Sequence, residues 1–485
     1  LTDAVAQQSG EVTDMLADSK RGRALMGGAE ELRKAGELYL PRFPAEDIEA
    51  YRARLKMSWL FNAYRKTVKD MTGRVFGKPV ELQDHPPQQL QDWCKNIDLQ
   101  GNDLSTFARR VFEDALAGPG IAYIMVDAPR RDGLVTQAQA QAQNLRPFLV
   151  HLSVEDVLGW RAQSIDNVVR LTQIRILECL TEPDPSDEFS DVEIEQIRVL
   201  DRTPNGVQTR IFRKAKQGDV INKWTMVGEP FMASIPEIPV IPFYANRDEF
   251  FAGDPVLADL ADMNIAHWQT LSDVTHSQHY ALTPILFGAG LEAKDIVLGG
   301  ASLTVSTDPN ARLEWVEPKG DGAIAQARQG LKDMEFSMEA FGLQLLTPKQ
   351  SNQSATGEAL DAAKETSQLA MMADALRDAI EQAISWMCQF GGISGYDPSV
   401  YVNDDFGTQP FQARDLLAMV QAVTAGAMSR EAFIEAMQRL GLVRSDITVE
   451  EEMARIEADQ MGAPFQNAAT MQAGVTPTTG AGMVL

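Results

Sequence analysis

Apolar positions recur at helical spacing over several stretches of this chain, and between those stretches the period shortens to two. Over residues 45–72, Ile48, Tyr51, Leu55, Trp59 and Val68 repeat near every third or fourth position, which predicts a helix. A second helix is predicted over 103–117, capped by Asn102 or Asp103 and stopped by Gly118-Pro119-Gly120. The run IAYIMVD, Ile121–Asp127, is apolar on both alternating sets of positions and reads as a buried strand. Residues 1–35 are polar and rich in small side chains, with a break at Gly27-Gly28, and residues 136–144 read as an exposed low-complexity loop.

Over 148–244 the period is two. The runs VVRLTQIRIL, VEIEQIRVL, VQTRIF and KWTMV are rich in β-branched residues. Turn clusters such as Glu182-Pro183-Asp184-Pro185 and Pro204-Asn205-Gly206 part them, which predicts an antiparallel meander. Helical spacing returns after Asp254-Pro255, with Asp254 as the expected cap and Pro255 in the first turn. About twenty-five residues at ~1.5 Å rise make this a rod approaching ~40 Å. A compact module follows, with strands near ILFG, SLTVS and LEWVEP. Next come a second rod over 321–346, a polar loop over 347–357 and a third helix over 356–390. The third helix carries the stripe Leu369, Ala373, Leu376, Ile380, Ala383/Ile384 and Met387. Residues 410–460 read as a small helical bundle with a capping box at Thr448-Val449-Glu450-Glu451, and residues 461–485 hold no charged side chain.

Composition narrows the classes. At 485 residues the chain is long enough for two to four structural units, and 44% hydrophobic against 23% charged residues supply a real core. No apolar run reaches the length of a membrane span, and no secretory signal opens the sequence. Three scattered cysteines (Cys94, Cys179, Cys388) argue against a disulfide framework and for a reducing compartment. The net charge of -24 is uneven: residues 1–134 hold 19 basic and 20 acidic side chains, and the remainder 25 and 48. Between Arg247 and Lys294 there is no Lys or Arg, while Asp248, Glu249, Asp254, Asp259, Asp262, Asp273 and Glu292 fall there. Such acidity serves solubility, or it repels polyanions. In the other direction, Arg52, Arg54, Lys56, Arg65, Lys66, Lys69, Arg74 and Lys78 cluster against Asp70 alone, as a phosphate patch or as a solvated or subunit-contacting helix face.

Catalytic motifs are nearly absent: the sequence has no Walker-type loop, dinucleotide fingerprint, HExxH, CxxC or nucleophile elbow. One constellation has metal-ligand types at loose helical spacing: Asp273, His276 and His279, with His267 upstream. It is the basis of an alternative reading as a metal-dependent hydrolase. The leading expectation is a non-enzyme with no cofactor and no resident metal.

Two stretches carry a family resemblance: YLPRFPAEDIEAYRARLKMSWLFNAYRKTVKDMTGRVFGKP over 39–79, and NQSATGEALDAAKETSQLAMMADAL over 352–376, with a further cue in IPVIPFYANRDEF. With the order of elements, they resemble the portal proteins of tailed bacteriophages, in a branch often known only as a domain of unknown function. The resemblance implies an α+β portal fold. Residues 1–253 would be the N-terminal region and wing with its β meander, 254–280 the first stem helix, 281–318 a small α/β clip, and 319–346 the second stem helix. The tunnel loop would be 347–357, a long helix returning into the wing 358–409, a helical crown 410–460 and an uncharged tail 461–485.

The family implies a ring, normally of twelve subunits, at one capsid vertex, in the virion and assembled in the host cytoplasm. Double-stranded DNA passes through it without sequence specificity. The implied partners are terminase, the head–tail adaptor and the major capsid and scaffolding proteins, with no membrane. A stem without Lys or Arg suits such a conduit, because each phosphate neutralised by a cation adds binding free energy. Asp259 and Asp262 are therefore expected to line the channel, joined by Lys349, Gln350, Asn352 and Gln353 from the tunnel loop. Another connector or minor capsid protein is the remaining alternative.

Overall fold

Ser9 caps the first helix by accepting a hydrogen bond from the Val12 amide, and Gly28, at φ 83°, ends it. In the computed structural model the described residues are 3–129, 145–184, 187–214, 223–233, 235–281, 285–289, 310–316, 321–344, 367–404 and 429–439, with single positions at 406, 423, 453 and 455. The chain divides into two units, Leu1–Phe406 and Gly407–Leu485. Within the first, the N-terminal helices are α1 (Gly10–Gly27), α2 (Ala29–Ala35), α3 (Ile48–Met57) and α4 (Ala63–Val75). The single helix expected over 45–72 is thus two. Ser58 leaves the helical region at ψ 136°, its hydroxyl donating to the Leu55 carbonyl at 2.6 Å, and Asn62 restarts the chain by capping the Arg65 amide at 2.9 Å. Helices α1 and α2, within a segment read as merely polar, are hard to see by periodicity because buried positions of α1 include Ser19 and Gly22. A Cβ on Gly22 would lie 2.3 Å from the Tyr64 hydroxyl.

A short strand β1 (Glu81–Leu82), α5 (Gln88–Cys94) and α6 (Leu104–Ala117) lead to β2 (Ile121–Asp127). Asp103, one of the two caps the sequence offers, caps α6 through the Thr106 amide at 2.7 Å. Strand β2 is central, flanked antiparallel by β3 (Phe148–Leu152) and by β10 (Val240–Tyr244). Its alternation serves two cores. Ala122, Ile124 and Val126 join the helical core with Phe112, Phe243 and Trp268, while Ile121, Tyr123 and Met125 join a second cluster with Val12, Met15 and Ile174. Burial on both faces is why the run is apolar throughout.

The meander forms a separate antiparallel sheet in the order β4 (Val157–Ile165), β5 (Val168–Pro183), β6 (Asp191–Thr203), β7 (Gly206–Lys214), β8 (Trp224–Met226), with β9 (Phe231–Ala233) also pairing β7. The ends of the predicted meander, β3 and β10, instead belong to the β2 sheet.

Two long helices follow, α7 (Ala258–Ala281) and α8 (Asp321–Gln344), joined through an antiparallel ribbon of β11 (Ile285–Ala289) and β12 (Arg312–Val316). The expected SLTVS strand lies outside the described residues. Asp254 and Pro255 precede α7 rather than opening it. Asp254 accepts from the Asn246 side chain at 3.2 Å, and its carbonyl oxygen sits 2.1 Å from where a Cβ on Gly120 would be. That packing holds residue 254 in the preceding turn, so α7 starts at Ala258.

Helix α9 (Gln368–Gly391) begins at a true cap: Ser367 is extended and its hydroxyl accepts from the Ala370 amide at 3.2 Å. The unbroken helix expected over 356–390 is therefore interrupted at Ser367, and its expected start, with residues 356–366, lies outside the described residues. The predicted stripe is borne out, with Leu369, Ala373, Leu376, Ile380, Ala383, Ile384 and Met387 all buried. Strand β13 (Val400–Tyr401) closes on β1. In the second unit, α10 (Arg430–Arg439) is described; the rest of the expected bundle, its capping box and the tail lie outside.

Candidate functional site

The root of α7 is locked into the helical core. Leu260, Ala261, Ile265 and Trp268 are buried, and the fully buried Asn264 side chain accepts from the Tyr64 amide at 2.9 Å and donates to the Phe61 carbonyl at 2.8 Å. Helix α8 runs antiparallel to α7, since His267 faces Glu335 while Leu271 and Val274 pack on Leu331 and Ala327. The buried His267 Nε2 is 3.3 Å from Glu335, and its Nδ1 finds no partner among the described residues. Burial pushes the imidazole below its usual range and Glu335 only partly restores it, so the ring is neutral near pH 7.

Opposite the buried side, α7 presents Asp259, Asp262, Ala266 and Ser277 to solvent along one row, with Thr270 and Asp273 half-buried in the same row. Asp259 and Asp262 thus share one exposed face. Asp262 is not an isolated charge: Arg21 of α1 reaches it at 2.6 Å, with both side chains about half exposed. Lys349, Gln350, Asn352 and Gln353 lie outside the described residues.

Asp273 has a structural partner. Arg54, 2% exposed, donates two bonds of 2.8 Å to Glu46, one of 2.9 Å to the Pro41 carbonyl and one of 3.4 Å to Asp273, and its guanidinium stacks over the Phe43 ring at 4.3 Å. Arg54 therefore leaves the basic cluster that the sequence suggested as a surface patch. Three other members are also paired: Arg52 with Glu49 at 2.7 Å, Lys69 with Glu113 and Lys66 with Glu339 at 3.8 Å. Burial pushes the Asp273 carboxyl up, while Arg54 and His276 pull it back. His276 is half-buried and His279 exposed, and among the described residues no three His, Cys, Asp or Glu side chains gather to hold a metal ion.

Helix α8 is covered on a narrow strip. Leu331, Met338 and Gly342 are buried, whereas Phe336 is 74% exposed on the same helix. Among the described residues, this long helix has one thin apolar contact and leaves an aromatic side chain exposed, a surface that suits a partner.

The fold defines a mixed helix-and-sheet protein whose helical pair carries a β ribbon. The family model for the domain of unknown function DUF4055 matches residues 256–391, spanning α7, the ribbon, α8 and α9, well short of half the chain. No curated protein matches the chain. Among solved structures, the chain is similar to one in the virion of a native gene transfer agent particle, at 13% identity and a TM-score of 0.37, over 78% of this chain and 89% of that one.

Proposed function

We propose that this chain is the portal subunit of a tailed-phage-like particle. About twelve copies form a ring at one capsid vertex, assembled with major capsid and scaffolding proteins, and double-stranded DNA enters and leaves through its centre. The ring docks terminase and later the head–tail adaptor, performs no catalysis of its own and becomes part of the virion.

The observation that carries this reading is the α7–α8 pair. It is rooted in the core at one end, bears the β11–β12 ribbon at the other, is little covered along α8 by the described residues, and shows an acidic row on α7 with no Lys or Arg between Arg247 and Lys294. A row that repels phosphates lets DNA slide where a basic row would clamp it. The order of elements and the two sequence stretches that resemble portal proteins support the same reading.

Native mass and negative-stain imaging test it. At 53.4 kDa per chain, a closed ring near ~640 kDa with a central hole is expected, because head-to-tail contacts that close make rings. A chain that stays monomeric at every concentration, with and without scaffolding protein, overturns it.

A further inference from the structure

The β5–β6 hairpin ends in an acidic, aromatic tip, and the centre of the same sheet holds a basic, aromatic cleft. We propose that the tip of one copy docks in the cleft of a second copy.

The tip is built for display. Phe189 is 90% exposed, the most exposed of the large apolar side chains described. The turn over 187–190 is nonetheless knit: Asp187 accepts from the Phe189 amide at 3.1 Å and from the Ser190 hydroxyl at 2.5 Å, and the Asp184 amide donates to the Ser190 carbonyl at 2.8 Å. The Asp187 carboxyl is held below its usual range by those same bonds, first the Ser190 hydroxyl. An aromatic ring on an ordered turn gives up little conformational entropy on binding. Around it, no Lys or Arg occurs between Arg175 and Arg198, and among the described residues Glu188, Asp191 and Glu193 have no cation within ion-pair reach.

The cleft, of about 560 Å³, lies between residues 4–8 and the face of the sheet. Val5, Val199 and Phe212 give it an apolar side, and Arg161, Arg175 and Arg210 a cationic one, with no Asp or Glu in its lining. Arg210 is balanced by Asp201 at 2.7 Å. Arg175 spends its donors on the carbonyls of Ala4, Val5 and Gln7, and Arg161 is exposed beside it. Two guanidiniums that no carboxylate pairs among the described residues, in a chain of net charge -24, suit an anion from outside.

A chain cannot fill its own cleft. β5 and β6 stay paired out to Pro183↔Asp191, eight residues beyond Arg175, which is roughly 26 Å along the strand. Tip and cleft are different patches, so the contact is head-to-tail and propagates as a ring or an open chain. It therefore does not require the ring proposed above.

The test uses the full chain, with p-benzoylphenylalanine at position 189, in a mixture of isotope-labelled and unlabelled copies. Cross-links between copies to peptides containing Arg161 or Arg210–Phe212 are expected. Phe189→Ala and Arg161→Glu are each expected to raise the half-association concentration about tenfold or more. Mixing Glu188→Arg with Arg161→Glu protein should recover part of the loss. Cross-links confined elsewhere, variants that associate like the wild type, or a wild-type chain that neither associates nor cross-links overturns the proposal. Tip-to-cleft cross-links in open chains or dimers uphold it and count against the ring; a ring untouched by Phe189→Ala does the reverse.

Discussion

Arg54 donates to Asp273 across 219 positions of sequence, and through that bond the buried guanidinium of α3 meets the exposed row of α7. Its other carboxylate, Glu46, has a side chain 5% exposed. Arg54→Met leaves Glu46 buried without its counter-charge, and removing one partner of such a pair costs about 3–5 kcal/mol. The urea midpoint should fall accordingly, and the double variant Glu46→Leu/Arg54→Met should regain a large part of the loss. The Arg54 hydrogen bonds hold the Glu46 carboxyl below its ordinary 4.5. That contribution is complete above pH 4.5 and disappears as pH falls through the lowered value.

His267 gives a second acid-sensitive step at higher pH. Its folded-state value is depressed below 6.5, so the unfolded chain binds the extra proton first. Stability from this site is complete above pH 6.5 and declines as the pH drops below it. Thermal midpoints of the wild type should fall between pH 7 and pH 5, and His267→Gln should flatten that slope.

Gly120 holds φ 77°, and a side chain there would meet the Asp254 carbonyl at 2.1 Å. Gly120→Ala should cost about 1–3 kcal/mol from backbone strain alone. Gly10, with nothing within 4 Å of its would-be Cβ, is the control: Gly10→Ala should be neutral or stabilising by up to ~1 kcal/mol. Parallel denaturation curves of the two variants make the comparison.

Asp259→Lys adds a cation to the exposed row of α7. If DNA passes that row, packaging velocity should drop at low salt and recover as salt rises, since the added phosphate contact is driven by counterion release. Asp262→Lys is a less clean probe, because it also sets a lysine against Arg21. An unchanged velocity for Asp259→Lys at low salt would remove the acidic row from the DNA path.

Legibility in the sequence followed the range of the interactions. The stripe of α9, the double-sided burial of β2 and the Asp103 cap are local, and all three could be read from spacing. What escaped was set by distant partners. The break between α3 and α4 is stabilised by Asn62, which also donates to the Leu25 carbonyl, and the delayed start of α7 follows from Gly120 packing on Asp254. The exposed acids of α7 were legible as a stripe. That Arg21 balances Asp262, or that Arg54 belongs to the interior, depends on contacts over two hundred residues long, for which no periodicity exists.

The antiparallel register of α7 and α8 has a mechanical meaning. Asn264, Trp268 and Met338 fix the pair at its root, and the β11–β12 ribbon hangs from the other end, beyond 17 residues or about 26 Å of helix counted from Asn264. Such an arrangement is a lever. A tilt of about 5° at the base, within the repacking that helix shifts commonly show, swings the ribbon by roughly 2 Å. Whatever grips the ribbon can then be felt in the core, and whatever strains the core is delivered, magnified, to the ribbon.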